Sequence, residues 1–270
     1  MGRPEKESPL RRPPLRQAGQ SLQEERDRIW DDEITPYFFT AFFCVLLAVY
    51  EWLSWYFKLP RQPLNITFVA IIGCAYAAFR IRPHLKTSRQ LKLGRDGERT
   101  VGQELEKLRA KGYRIYHDFL GDKFNIDHIV IGSTGVFTIN TKAVSKPKNP
   151  DAKIEYDGIA IRIPGIKKLD RDPIAQAKAE RDYIRKWIRE NANREAPVRP
   201  AVVFVGWQIT KRPENAEVWV LNIGGLVSFI EHERSQLSED DVTHICGILE
   251  VHILMKQREL YDKLNPSWQS

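Results

Sequence analysis

Two long apolar stretches lie in the N-terminal third of the chain, separated by a short polar connector. Residues 36–57 carry one charge, Glu51, and residues 64–81 form the second stretch. Each is long enough for a helix of roughly 20 residues that crosses a bilayer. Tyr37 at one end and Trp55 at the other suit the membrane interface. We therefore predict a transmembrane helical hairpin over residues 36–81; the alternative is a buried helical hairpin of a soluble protein.

The distribution of Lys and Arg predicts the orientation of this hairpin. Seven precede the first stretch, two lie in the connector and six crowd the far end of the second stretch. Basic residues favour the cytoplasmic side, so we expect a multi-pass protein of the cell membrane with both termini and the main domain cytoplasmic. Residues 1–35 read as a disordered basic cytosolic tail in which Ser21 to Glu33 could form a short helix, and residues 82–93 as a basic juxtamembrane linker that contacts anionic lipid.

Beyond this linker the pattern changes to short helices and strands. A helix is predicted from Gly94 to about Lys111, because Val101, Leu105 and Leu108 recur on one face. Further elements follow, in order, as a strand at 113–119, hairpins at 124–142 and 153–163, a helix at 173–189, strands at 198–207 and 217–221, and a helix from Ser238 to Leu260. This order predicts an α/β fold with a mixed central sheet flanked by helices. Residues 94–210 form the main domain, and residues 211–270 add the strand and helix that complete it.

Composition is compatible with this architecture and narrows the choice of partners. Of 270 residues, 42% are hydrophobic and 29% are charged, which allows a packed core. The net charge of +7 favours polyanionic partners, namely nucleic acid or anionic lipid. Cys44, Cys74 and Cys246 include no closely spaced pair, which argues against a disulfide framework and against a cysteine zinc site.

The hairpin at 124–142 carries the candidate chemistry. Asp127 interrupts an apolar strand, and a buried carboxylate needs a cation, a metal ion or an opening to water. Asn140 and Lys142 lie on one face of the second strand because side chains alternate. Glu98, in the first turn of the preceding helix, can converge on them. Oxygen ligands beside a lysine suit Mg²⁺-assisted cleavage of a phosphodiester bond, in which the charges stabilise the transition state.

Four motifs, taken in order, resemble a known family. They are Gly94-x-x-Gly97-Glu98, the segment 124–132 with Asp127, the segment 135–142 ending in Asn140-x-Lys142, and the later Gln176. This set resembles the nuclease-related domain family, NERD, which is grouped with the PD-(D/E)XK nucleases. The resemblance covers about Gly94 to Trp207.

The resemblance implies a restriction-endonuclease-like fold and hydrolysis of nucleic acid, DNA more than RNA, with Mg²⁺ or alternatively Mn²⁺. It implies Glu98, Asp127 and Lys142 as site members and Gln176 as a supporting residue, with the ion held by Asp127, Glu98 and Asn140. The basic residues between Lys142 and Pro173 would hold the phosphate backbone.

One departure from the family pattern keeps other interpretations open. Asn140 stands where the nuclease motif has Glu or Asp, so one negative charge at the ion is lost. The chain could then be an inactive fold that binds nucleic acid or a protein at the membrane, or a scaffold that senses anionic lipid.

Each candidate residue also has a structural explanation. Glu98 suits the positive end of a helix dipole, and Asp127 could be a carboxylate paired with a backbone N–H. Lys142 could be a solvated strand end, and Gln176 a hydrogen bonder at a helix start. His128 points to the opposite strand face from Asp127 and is expected to be structural.

Overall fold

The computed structural model describes residues 15–59, 63–121, 124–147, 152–166, 169, 171–210, 213 and 215–264, with side chains to residue 260. The chain divides into two compact units. One is Ser21–Arg95, and the other combines Met1–Gln20 with Asp96–Ser270.

The unit Ser21–Arg95 is helical. Helix α1 (Gln20–Arg28) continues through a π-helical turn (Ile29–Ile34) into α2 (Thr35–Tyr56), and α3 begins at Pro63. The helical stretches Gln20–Tyr56 and Pro63–Lys111 are long and apolar enough to cross a membrane, as the sequence predicted.

Small residues hold these two helices together. A Cβ added at Gly73 would lie 2.7 Å from Cys44 Sγ, and Ala77 is only 1% exposed, so the helices approach closely there. Trp52 Nε1 also donates to Thr67 Oγ1 at 2.9 Å. The large side chains point outward instead, among them Phe38, Phe68 and Phe79. An exposed apolar surface of this kind suits contact with a membrane or with another protein.

Two boundary predictions are wrong. The prediction of a disordered tail is wrong from Arg16 onward, because Arg16 is buried by an ion pair and the chain is helical from Gln20, where a short helix was considered for Ser21 to Glu33. Helix α3 (Pro63–Leu105) also does not begin at Gly94 but runs through it. A glycine inside a helix costs only about 1 kcal/mol, and Gly97 serves close packing, since a Cβ there would lie 2.6 Å from the Ala143 Cβ.

The second unit is built on a five-stranded sheet. Its strands are β1 (Arg114–Leu120), β2 (Asn125–Gly132), β3 (Gly135–Lys142), β6 (Val198–Phe204) and β8 (Trp219–Asn222). They lie in the order β1-β2-β3-β6-β8, with β1, β2 and β3 antiparallel and with β3, β6 and β8 parallel. The mixed sheet therefore confirms the predicted α/β class.

Helices cover both faces of this sheet. On one face, Ile129 and Ile131 pack with Ile184 of α4 (Pro173–Trp187) and with Leu249 of α6 (Glu239–Leu264). On the other face, Phe137 and Ile139 pack with the end of α3, a 3₁₀ turn (Glu106–Lys111) and α5 (Ile223–Glu231). Burial on both sides explains the continuous apolar strands.

A small second sheet extends the domain. Strand β4 (Ile154–Tyr156) pairs antiparallel with β5 (Ile161–Arg162), as predicted, and parallel with β7 (Ile209–Thr210). Helix α5 was not predicted. It has only nine residues, and two glycines in its first turn obscure the helical pattern, but the Asn222 side chain caps it by accepting from Gly225 N.

Candidate functional site

The hairpin β2–β3 brings Asp127 and Asn140 together. His128 pairs with Ile139 across the hairpin, so Asp127 and Asn140 occupy adjoining positions of the ladder. Thr141 N donates to Asp127 Oδ2 at 2.6 Å, and the Asp127 side chain keeps partial access to solvent. The backbone contact considered from the sequence is therefore present, and it fixes the carboxylate at the end of the hairpin.

Four polar side chains link β3 to α4 in one network. Lys142 Nζ donates to Gln176 Oε1 at 3.0 Å, and Gln176 Nε2 donates to Glu180 Oε1 at 2.8 Å. Asn140 Nδ2 donates to the same Glu180 oxygen at 2.8 Å. Lys142 is consequently held in place by the helix and is not a free strand end. Gln176, predicted only as a supporting residue, connects the lysine to a carboxylate.

Sequence reasoning missed Glu180. It lies one helical turn after Gln176 and is 1% exposed. A signal was available, because Ala177, Glu180 and Ile184 recur at helical spacing on the buried face of α4. A charged residue on such a face is seldom buried without a specific partner.

Glu98 reaches the same region from α3. It is 7% exposed, lies well inside the helix and accepts a hydrogen bond from the backbone N–H of Gly19. The interpretation of Glu98 as a first-turn residue favoured by the helix dipole is therefore wrong. Next to it, Asp118 Oδ2 accepts from Arg16 Nε at 2.6 Å, and both of these side chains are buried.

The clustered acids hold their protons more tightly than usual. Burial, followed by the charges of Asp127 and Asp118, raises the pKa of Glu98 to about 9. Burial and the Asp127 charge raise the pKa of Glu180 to about 8. Burial also raises the pKa of Asp127 to about 6, against the opposing effects of the Thr141 N–H and of Lys142. Such shifts in neighbouring groups are common at functional sites.

His128 lies on the other side of β2, as predicted. Its Nδ1 is 2.9 Å from His117 Nδ1, and His117 Nε2 is 3.1 Å from Glu106 Oε1. If His117 donates to Glu106, it must accept from His128 at Nδ1, which leaves His128 Nε2 buried and with no partner among the described residues. The pair therefore lies on the face of β2 opposite to Asp127.

Comparison with known proteins identifies the domain. Residues 93–205 match the family model described as a nuclease-related domain, NERD. The chain contains a nuclease-related domain. The resemblance seen in the sequence is thus confirmed, and the match spans the helix end with Glu98, the hairpin and α4.

A curated relative matches a shorter segment. Over 54 residues the chain is 44% identical to an uncharacterized protein of Bacillus anthracis, a segment that is 18% of this chain and 26% of that protein. The chain thus spans about a quarter of the length of that relative. No solved structure matches the chain.

The oxygen atoms of the nuclease-related domain fit a magnesium ion. Among the residues that the structure describes, no three His, Cys, Asp or Glu side chains gather closely enough to enclose a metal. Mg²⁺ requires fewer protein ligands than such a cluster provides, since one or two carboxylates usually hold it together with waters and substrate phosphates. Asn140 Oδ1 and Glu180 Oε2 are buried acceptors for which the described part of the chain offers no hydrogen-bond partner. Hard oxygens in this state are suitable ligands for such an ion.

The predicted phosphate-binding residues of the nuclease-related domain are only partly described. Lys146 lies over the Trp207 ring at 5.6 Å from its centroid, and Arg162 Nη2 is 3.8 Å from Asp157 Oδ2. Lys148, Lys167 and Lys168 lie outside the described residues.

Proposed function

We propose that this protein is a membrane-anchored nuclease whose domain hydrolyses phosphodiester bonds of DNA, and of RNA less readily, with Mg²⁺. One observation carries the proposal. Within a nuclease-related domain, Lys142 is tied through Gln176 to α4, beside Asp127 and Asn140 on the same hairpin end. A cation next to fixed oxygen ligands suits a negatively charged phosphate whose charge grows in the transition state.

Each residue has a distinct role in this proposal. Asp127, Asn140 and Glu98 would hold Mg²⁺, with Mn²⁺ as an alternative occupant. When bound, the ion lowers the pKa of a coordinated water and offsets charge on the phosphate. The Lys142 ammonium contacts a phosphate oxygen and orients the scissile bond. Gln176 is a positioning residue, because its Oε1 fixes the Lys142 Nζ.

The anchor determines where the reaction occurs. Two helices long and apolar enough to cross a membrane precede the domain. Basic residues follow the second apolar stretch, among them Arg82, Lys86 and Arg89, and would contact anionic headgroups. We place the domain at the cytoplasmic face of the cell membrane, on the excess of basic residues outside the connector.

The test is plasmid cleavage by the full-length chain in lipid nanodiscs. A fragment starting at Arg82 is unsuitable, because it lacks Arg16 and Gly19, which contact Asp118 and Glu98. With Mg²⁺ we expect nicking of supercoiled DNA and slower cleavage of an RNA of equal length. Asp127→Asn and Lys142→Met should each lower the rate by about a hundredfold or more.

Lys178→Met is the matched control for the charge change. Lys178 lies on α4 near Gln176, but its Nζ pairs with Glu217 Oε2 at 2.6 Å. The proposal fails if the wild type does not cleave, or if both site variants cleave as the wild type does. Salt-dependent DNA binding without cleavage would instead support the inactive nucleic-acid-binding fold that Asn140 allows.

A further inference from the structure

A buried carboxylate on α4 contacts the residue that replaces the expected strand acid. Glu180 Oε1 accepts hydrogen bonds from Asn140 Nδ2 and Gln176 Nε2, both at 2.8 Å. The orientation of the Gln176 side-chain amide is fixed, because its Oε1 accepts a hydrogen bond from Lys142 Nζ. The orientation of the Asn140 side-chain amide is fixed as well, because the reverse orientation would place its carbonyl oxygen against the Glu180 carboxylate.

With these orientations, two side-chain oxygens take no part in the hydrogen bonds of the network. Asn140 Oδ1 and Glu180 Oε2 are both buried, each residue is 1% exposed, and neither oxygen has a hydrogen-bond partner among the described residues. A buried acceptor without a donor is unfavourable, so such a group in a native fold needs an explanation. Two such acceptors on residues that are hydrogen-bonded to each other could share one cation.

Asp127 supplies the third oxygen group. Its charge adds to burial in raising the pKa of Glu180, which places the two carboxylates within electrostatic reach. Asp127 has one oxygen, Oδ2, bonded to the Thr141 N–H. The carboxyl groups of Asp127 and Glu180 and the amide carbonyl of Asn140 give the hard-oxygen ligand type that suits a divalent cation.

We propose that Glu180 supplies the carboxylate that Asn140 lacks, so that Glu180 Oε2, Asn140 Oδ1 and the Asp127 carboxylate bind one divalent cation together with Glu98. The helix would then supply the charge that the strand lacks, while Asn140 contacts both the ion and Glu180. This inference rests on the proposed function, because it adds a ligand to the same site.

The test measures Mn²⁺ binding directly. The full-length chain in phosphatidylcholine nanodiscs, whose headgroups carry no net charge, is titrated with Mn²⁺ and free ion is followed by electron paramagnetic resonance. Glu180→Gln keeps the size of the side chain and removes the charge, and we expect binding about 10–100-fold weaker. The control Asp182→Asn removes an exposed acid from the same helix, and its affinity should equal that of the wild type.

A compensating variant makes the test specific. Asn140→Asp restores the strand acid, so Asn140→Asp combined with Glu180→Gln should return Mn²⁺ affinity to within a few-fold of the wild type. Asn140→Asp alone should tighten binding several-fold, and it keeps the test decisive if Glu180→Gln does not fold. Unchanged affinity in both single variants, absence of Mn²⁺ binding by the wild type, or a folded double variant that binds as weakly as Glu180→Gln would overturn the inference.

The two proposals fail in different ways. Suppose that cleavage depends on Asp127 and Lys142 but that Glu180→Gln binds Mn²⁺ as tightly as the wild type does. This result refutes only the inference about Glu180. Mn²⁺ binding that depends on Glu180, without cleavage by the wild type, refutes only the nuclease function.

Discussion

Arg16 and Asp118 form a buried ion pair between the segment that precedes the first apolar helix and the first strand of the sheet. Arg16 Nε lies 2.6 Å from Asp118 Oδ2, and the two side chains are 5% and 1% exposed. Asp118 also contributes to the raised pKa of Glu98 and of Asp127. The guanidinium therefore offsets part of the negative charge of the candidate site.

Arg16→Met should destabilise the nuclease-related domain. Removing one partner of a buried pair leaves the other charge in a dry environment, at a cost of about 3–5 kcal/mol. Thermal unfolding in nanodiscs, followed by tryptophan fluorescence, measures the effect. Arg28→Met is the control, since Arg28 pairs with Asp32 on an exposed helix surface and should change stability by less than about 1 kcal/mol. Equal effects of the two substitutions would contradict this prediction.

Gln176→Leu should slow cleavage without preventing folding. Leucine fills similar space but frees Lys142 Nζ from its 3.0 Å contact. A hydrogen bond to a charged group contributes about 1.5–3 kcal/mol, so we expect a rate loss of about tenfold to a hundredfold in kcat, with little change in KM. Gln176→Glu should retain more activity than Gln176→Leu, because it still offers an oxygen to the lysine. If Gln176→Leu cleaves at the wild-type rate, Gln176 does not position Lys142.

His128 should stay neutral in mildly acidic solution. Burial and the neighbouring His117 lower its pKa well below 6.5. The unfolded chain takes up a proton at this residue below about pH 6.5 and the folded chain does not. The contribution of neutral His128 to the free energy of unfolding is therefore complete above that pH and declines as the pH falls below it. His128→Gln should show a shallower decline between pH 7 and 5 than the wild type.

Histidine-selective ¹⁵N spectra test the same pair independently. The geometry predicts a proton on His128 Nδ1 and on His117 Nε2 at neutral pH, given the contacts with His117 Nδ1 and Glu106. The opposite tautomers, or a His128 that titrates near 6.5, would contradict this assignment.

The contact of Arg16 with Asp118 also predicts membrane topology. If both apolar helices cross the bilayer, residues before the first and after the second must lie on one side. In a background without native cysteines, Leu59→Cys in the connector should react with an impermeant maleimide in intact cells. Ser235→Cys should react only after lysis. The reverse labelling pattern would refute a cytoplasmic domain.

Local features of the site were predictable from the sequence, and long-range ones were not. The hairpin with Asp127, Asn140 and Lys142 follows from β-branched residues and glycine turns. Gln176 was found through the family motif. Glu180 was missed although it lies on the apolar face of a predicted helix, because the sequence does not show that its partner is Asn140, 40 positions earlier.

Arg16 was missed for a different reason. A tail rich in Pro and Arg has the composition of disordered segments, and the contact that orders Arg16 lies 102 positions away at Asp118. The boundary at Gly94 was misplaced because a glycine also suits close packing within a continuous helix. Neither error affects the order of the strands, which depends on the apolar runs.

The Arg16–Asp118 pair also limits the order in which the chain can mature. Ribosomes make Arg16 first and Asp118 much later, after both apolar helices have emerged. Until then, the early segment has no domain on which to dock, and β1 cannot complete its buried charge pair. Completion of the domain must thus wait for synthesis of the whole preceding hairpin, so that a chain stalled before β1 would expose an unfinished domain to proteases.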